Sequence, residues 1–183
     1  MKATEDLRHE HRAVERMLAI LDRMGTHTLG ETDIPALDEV VDFLRVFVDA
    51  CHHRKEEQLL FPALIGAGAS MGADKLVTPL LHEHERGREL VVIVGTQLEM
   101  ARAGKVAAFG AIAQALLHYV SLLRAHIAEE EGGAFALADA DLPAAVQQSL
   151  AEGYDEVERV VIGEGRHEAF HEMLDRLEAQ GSP

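Results

Sequence analysis

Two ten-residue segments of this chain carry the same chemistry 74 positions apart. His52-His53-Arg54-Lys55-Glu56-Glu57-Gln58-Leu59-Leu60-Phe61 corresponds to His126-Ile127-Ala128-Glu129-Glu130-Glu131-Gly132-Gly133-Ala134-Phe135. A second pair, Leu7-Arg8-His9-Glu10-His11 and Leu80-Leu81-His82-Glu83-His84, recurs at an offset of 73. The first four helices are thus one unit written twice, and each unit holds an earlier and a later helical run. Two such hairpins pack as a four-helix bundle with an approximate two-fold axis. Residues that recur in both copies face each other across that axis.

The rest of the chain supports an all-α reading. Leu7, Val14, Leu18 and Leu21 recur at helical spacing over residues 4–24. The run Gly25 to Gly30 breaks the pattern, and Asp33-Ile34-Pro35 reads as a helix start. That second helix runs to about Leu64, and a loop follows from Gly66 to Gly72. A third helix is expected near 74–102, a turn at Ala103-Gly104-Lys105, and a fourth near 105–137. Asp141-Leu142-Pro143 restarts a fifth, ending near Gly163-Glu164-Gly165, and a short sixth closes the chain near Gln180. Strict alternation of apolar and polar residues is scarce. The expectation is an up-down four-helix bundle of two related hairpins over residues 1–139. Residues 140–183 form a C-terminal helical extension packed on one face.

Helical phase sorts the eleven histidines. Residues three, four or seven apart share a face, and residues two apart do not. His11 lies in the stripe of Leu7, Val14, Leu18 and Leu21, whereas His9 falls on a mixed face. His84 aligns with Leu80, Val91 and Leu98, and His82 with Arg86 and Glu89. His52 follows Leu44 and Val48 and precedes Glu56 and Leu59, while His53 falls with Asp42, Asp49 and Glu57. His126 follows Ala115, Tyr119 and Leu122 and precedes Glu130. The inward set is therefore His11, His52, Glu56, His84, His126 and Glu130.

Ionised carboxylates on a buried stripe are costly unless paired or bound to metal. Glu56 and Glu130 each stand one turn beyond a histidine, within about 40° on the same face. Imidazoles and bridging carboxylates in this number serve two ions. Mixed nitrogen and oxygen donors suit iron, manganese or zinc better than calcium or magnesium. Each half offers two histidines and one carboxylate, as in non-haem iron sites that keep coordination positions open. A lone inward histidine is usually a satisfied core residue, and a lone His-x-x-x-Glu pair is often a surface pair. Two copies on repeat-related helices, each with an inward histidine on the preceding helix, are not explained that way.

Composition narrows the setting. The chain has 183 residues, enough for one full core. A formal charge of −15 argues against nucleic acid and anionic membrane surfaces as partners. No run approaches 18 uncharged apolar residues, so a membrane span is not expected. The acidic N-terminus, Met1 to Asp6, lacks the apolar core of a signal peptide. Cys51 is the single cysteine, which fits a reducing cytoplasm. It reads as a small buried residue more readily than as a redox thiol. The acidic neighbours of the candidate ligands, Glu57, Glu129 and Glu131, read as solvated faces.

At these residues the sequence resembles the hemerythrin-like HHE cation-binding domain. The resemblance rests on His52-x-x-x-Glu56 followed by Leu59-Leu60-Phe61-Pro62, and on His126-Ile127-x-x-Glu130-Glu131 followed by Phe135. Glu10-His11 and Glu83-His84 match the family's other two helices, so about residues 5–139 are covered. The resemblance implies two non-haem iron ions bridged by the two glutamates, with zinc or manganese as substitutes. It also implies a small diatomic ligand such as oxygen or nitric oxide, or peroxide. Relatives include oxygen carriers, iron–sulfur-centre repair proteins and an iron- and oxygen-sensing domain of a ubiquitin ligase.

This chain departs from the oxygen carriers in two ways. They carry a second histidine one turn after the third-helix histidine, where Arg88 stands here, and they use His-x4-Asp where this chain has His126-x3-Glu130. A four-histidine site is therefore expected over a five-histidine one, with His53 and Tyr119 as candidate additional ligands. Gly132 and Gly133 beside Glu130 are expected to loosen the end of the fourth helix or open an entry. Glycine costs up to about 1 kcal/mol inside a helix.

One motif competes. His167-Glu168-Ala169-Phe170-His171 spells the His-Glu-x-x-His signature of zinc proteases. Few residues follow it, Glu178 is an unusual third ligand, and the motif lies outside the repeat. A solvated helix is the better reading. Two functional classes remain: a protein that binds or senses oxygen, nitric oxide or iron, and a di-iron oxidoreductase acting on peroxide or nitric oxide. A scaffold with a protein partner on residues 140–180 is a third.

Overall fold

The computed structural model describes residues 2–66, 72–163 and 165–180, and among them all regular structure is helical. Helix α1, Thr4–Thr26, buries the stripe of Leu7, His11, Val14, Leu18 and Leu21. Glu5 and Asp6 in its first turn and Arg23 in its last complement the helix dipole. A tight turn at Glu31–Asp33 leads into the second helix, and Asp33 Oδ2 accepts a hydrogen bond from the Gly30 amide at 2.8 Å. Pro35 follows in the first turn, where its missing N–H costs nothing.

Helix α2 spans residues 34–66 and is not uniform. Ile34–Phe43 and Phe61–Gly66 are α-helical, whereas Leu44–His53 and Glu56–Leu60 are π-helical. The loop expected after Gly66 falls mostly on residues outside those described. Helix α3 is Ala73–Arg102, with Pro79 in its second turn. Gly104, at φ +79°, turns the chain into helix α4, Ala107–Asp141. Glu130–Ala134 inside α4 is again π-helical. Helix α5, Ala144–Val161, and helix α6, Arg166–Ala179, complete the chain.

Helices α1 to α4 form the bundle, with a polar layer between two apolar clusters. One cluster gathers Met17, Leu18, Phe43, Leu90, Val94 and Leu116. The other gathers Leu7, Leu60, Phe61, Leu80, Phe135 and Tyr154. Each helix passes from one cluster to the other through a candidate ligand, so the apolar clusters fix the ligand layer from both ends. Against the expectation from the sequence, helix α4 is long and apolar enough to cross a membrane by length and composition, with a mean hydropathy of 1.2 over an 18-residue stretch. Its Phe109, Ile112, Leu116, Val120 and Leu123 are buried in the bundle, as a core helix requires.

The C-terminal helices lie against α1 and α2. Phe170 of α6 meets the rings of Phe43 and Phe47 edge-on, at 5.4 and 5.9 Å. Arg16 of α1 binds Asp175 and Glu178, and Arg166 and Arg176 bind Asp42 and Glu39 of α2. Gln147 of α5 accepts from the Ala3 amide at 2.9 Å and donates to the Ala138 carbonyl at 2.8 Å, tying both ends of the bundle to the extension.

Candidate metal centre

Two groups of potential ligands converge in the polar layer, and all are buried. One comprises His11, His52, Glu56 and Glu130; the other comprises His53, Glu56, His84 and His126. Within each group the ligand atoms lie within 4.8 Å of one another. The six inward residues expected from phase are therefore together. Tyr119 is buried too, and lines a cavity that also reaches His53.

His53 corrects the phase argument, which placed it on an outer face. It is 2% exposed, the same as His52 beside it. In an α-helix only i+3 and i+4 return to the face of residue i, whereas the wider π-helical turn here brings both His52 and His53, four and five residues after buried Val48, beside its face. The His53 ring stacks on His84 with centroids 3.8 Å apart. Its counterpart in the second copy is Ile127, so the repeat is broken at this position. One group thereby holds three imidazoles and the other two.

The carboxylates divide their oxygens between the groups. Glu56 Oε1 lies 3.5 Å from His52 Nε2, and Glu56 Oε2 lies 3.5 Å from His84 Nε2. Glu130 Oε2 lies 3.3 Å from His11 Nε2, and Glu130 Oε1 lies 3.2 Å from His126 Nε2. Both oxygens of each carboxylate, His11 Nε2 and both ring nitrogens of His53 lack a hydrogen-bond partner. Buried polar atoms without partners are rare, and their concentration in one layer is what a pair of bridged cations would satisfy.

Every histidine of the centre except His53 gives its Nδ1–H to a carboxylate on a neighbouring helix. His52 donates to Glu10 at 2.8 Å, His84 to Glu57 at 2.7 Å, His126 to Glu83 at 2.7 Å and His11 to Glu131 at 3.1 Å. The four contacts run α1 to α2, α2 to α3, α3 to α4 and α4 back to α1. They fix the tautomer with the Nε2 lone pair inward, the orientation a metal requires. His53 Nδ1 faces Asp49 at 3.6 Å. Glu57 and Glu131, expected to be merely solvated, are thus bound to the imidazoles of His84 and His11. The signal was in the sequence: each carboxylate adjoins a ligand, and the adjacency recurs in both copies.

Burial and then the neighbouring Glu130 carboxylate push the Glu56 carboxyl well above its ordinary range. Burial would do the same to Glu130, but the imidazoles of His11, His126 and His84 override it and hold Glu130 well below. Burial, then the charges of His84, His52 and His126, keeps His53 far below the ordinary histidine value. His53 is thus neutral, as a ligand must be.

Further groups surround this core. Phe135 stacks on His11 and Phe61 on His84, a repeat-related pair of rings. Lys55 is 1% exposed, and its Nζ donates to Glu10 Oε1 at 2.5 Å and lies 3.4 Å from Glu158 of α5. Tyr154 of α5 is buried with its hydroxyl unpartnered. Arg88 points away from the centre and binds Asp49, Glu57 and Glu85. A cavity of about 210 Å³ between α2 and α3 reaches His53, lined also by Tyr119, Leu44, Val91 and Arg88. A larger cavity of about 410 Å³, beside Ile20, Met24 and Leu177, touches no ligand. Gly133 does not end α4: a side chain there would meet Leu76 of α3 at 2.9 Å, so the residue permits a close approach of two helices.

Fold and site together define a helical bundle whose interior can hold a pair of cations. Residues 2–138 match the hemerythrin HHE cation-binding domain, and the chain belongs to that family. It is also 31% identical over 179 residues to an uncharacterized protein of Mycobacterium tuberculosis strain H37Rv, covering 96% of this chain and 67% of the relative. An uncharacterized protein of Mycobacterium bovis matches to the same extent. No solved structure matches.

Proposed function

We propose that this chain is a non-haem di-iron protein that binds or senses a small ligand such as oxygen or nitric oxide. The observation that carries the reading is the division of Glu56 and Glu130 oxygens between two imidazole groups. The three-imidazole group would hold one ion and the two-imidazole group the other, with zinc or manganese as substitutes. Iron so held supplies reversible binding or reduction of a diatomic molecule at open coordination positions. The protein's own part is to orient the imidazoles through Glu10, Glu57, Glu83 and Glu131, and to offer an apolar approach past Leu44 and Val91. A cytoplasmic location accords with the single, buried, unpaired cysteine.

A second reading, an oxidoreductase acting on peroxide or nitric oxide, is favoured by the buried polar groups beside the two-imidazole group. Lys55, Glu10 and Glu158 link that side to the surface, and Tyr154 adds an unpartnered hydroxyl. Such groups suit proton delivery. A repair role toward iron–sulfur centres belongs to this class.

The deciding experiment is anaerobic iron loading, metal analysis, and optical spectra before and after oxygen, nitric oxide and peroxide. A stable ligand-dependent spectrum supports binding or sensing, and catalytic consumption of peroxide or nitric oxide supports the oxidoreductase. Failure to retain any transition metal would sink both readings. Combined Glu56→Ala and Glu130→Ala is expected to abolish binding of the ion pair.

A further inference from the structure

The His-Glu-x-x-His segment remains outside the bundle centre, yet its two imidazoles are arranged as ligands. His167 and His171 stand one turn apart on α6, with rings stacked at 4.9 Å and an interplanar angle of 16°. Their Nε2 atoms face each other across 3.0 Å. His167 donates its Nδ1–H to Glu158 Oε1 of α5 at 2.6 Å, which leaves the Nε2 lone pair turned toward His171. The buried centre repeats this pattern. There His84 and His126 also face through Nε2 atoms 3.0 Å apart, and a carboxylate holds each Nδ1. The ring of Phe47 meets His167 edge-on at 5.9 Å and limits its rotation.

We propose that His167 and His171 form a second metal site, separate from the bundle centre, for a divalent transition ion of the copper, nickel or zinc class. Two imidazole nitrogens select such ions over calcium or magnesium, and the first-row order places copper(II) as the tightest. Both residues are only partly buried, so the ion enters from solvent and water completes its shell. Among the described residues no third histidine, cysteine or carboxylate converges with the pair, so the site is weaker than the buried one. Glu168 is exposed, and hydrolase chemistry is not part of the assignment. The second oxygen of Glu158 lies 3.4 Å from Lys55, whose partner Glu10 holds His52. The outer site is thereby joined to the bundle centre through named side chains.

The test is copper(II) titration of the full chain, read by electron paramagnetic resonance and by competition with a chelator. With the bundle centre loaded with iron beforehand, the expected result is one further bound equivalent, coordinated by two imidazole nitrogens, that disappears in His167→Ala and in His171→Ala. His171→Gln, which keeps most of the packing, should lose it equally, and zinc should compete for it. Glu158→Gln should weaken binding roughly 10- to 100-fold, as removal of a group orienting a ligand does. His82→Ala should leave it unchanged. Copper coordination that survives both His167→Ala and His171→Gln, with the helical spectrum intact, would overturn the assignment.

Discussion

His84 on α3 and His126 on α4 point their Nε2 atoms at each other across 3.0 Å. Both rings already give a proton to Glu57 or Glu83 through Nδ1. Without an ion, one of the two must carry a second proton to make the contact favourable. An ion between them uses both lone pairs and needs neither proton.

Metal loading should therefore release protons. Burial opposes charge on His126, but Glu130 and Glu83 outweigh it and hold its value above the ordinary 6.5. Glu56 also keeps its proton well above 4.5, through burial and Glu130. For a group whose folded value is raised, the stabilisation is complete below the unfolded value and is lost as pH rises through the folded one. The ions compete for these same atoms, so affinity should climb with pH through that window. Calorimetry in buffers of different ionisation heat measures the released protons. A binding heat that does not depend on buffer would contradict the expectation.

His53 should count as a ligand. His53→Ala is expected to reduce bound metal from about two ions to about one, or to weaken one ion selectively, because that group would fall to two imidazoles. His82→Ala, on an exposed position, should retain both. Metal analysis after dialysis decides between them, and equal retention in both variants would restore a four-histidine centre.

The Lys55–Glu10 pair should matter more singly than jointly. Both side chains are buried, and Glu10→Ala leaves the Lys55 charge with only Glu158 at 3.4 Å. Breaking a buried pair costs about 3–5 kcal/mol, whereas replacing both partners costs far less. Denaturant titration of Glu10→Ala, Lys55→Met and the variant carrying both should show partial recovery in the double variant. Additive losses would refute the coupling.

Cys51 should be inert in the native protein. Burial, eased only partly by Lys55, pushes its thiol up to about 12. Since the thiolate is the reactive form, alkylation near pH 8 should wait for unfolding. Rapid labelling of the folded chain, followed by mass spectrometry, would be the contrary result.

Two glycines should respond oppositely to alanine. At Gly25 a new side chain meets Leu117 Cγ at 2.6 Å and the Ala113 carbonyl at 3.1 Å, so Gly25→Ala should destabilise by about 1–3 kcal/mol. Gly132 has open space around it, and Gly132→Ala should stabilise by up to about 1 kcal/mol. Thermal melts of the two variants check the signs.

The helices and the buried placement of His11, His84 and His126 were legible because the α-helical period holds there, and that of His52, Glu56 and Glu130, on π-helical stretches, because the repeat marks them in both copies. His11 and His84 lie on ordinary α-helix, and phase placed them correctly. His53 was misjudged because it lies in a π-helical stretch, and a period of 3.6 residues does not apply there. Glu10 and Glu83 were seen as motif letters and Glu57 and Glu131 as solvated faces, but their partners sit on other helices. Helical periodicity describes one helix at a time and is silent on such pairs. The cavity beside His53 depends on side-chain packing between α2 and α3 and left no sequence trace.

The circuit of imidazole–carboxylate contacts has a symmetry written into it. The contacts of Glu10 with His52 and of Glu83 with His126 lie within single hairpins, and those of Glu57 with His84 and of Glu131 with His11 cross between them. Two identical copies of one hairpin, paired about the two-fold axis, would reproduce all four. The arrangement is the one that a symmetric pair of such hairpins would have. His53, whose counterpart in the other half is Ile127, is where the two copies stop being equal, and a single chain carrying both copies gives its two candidate ligand groups unequal surroundings.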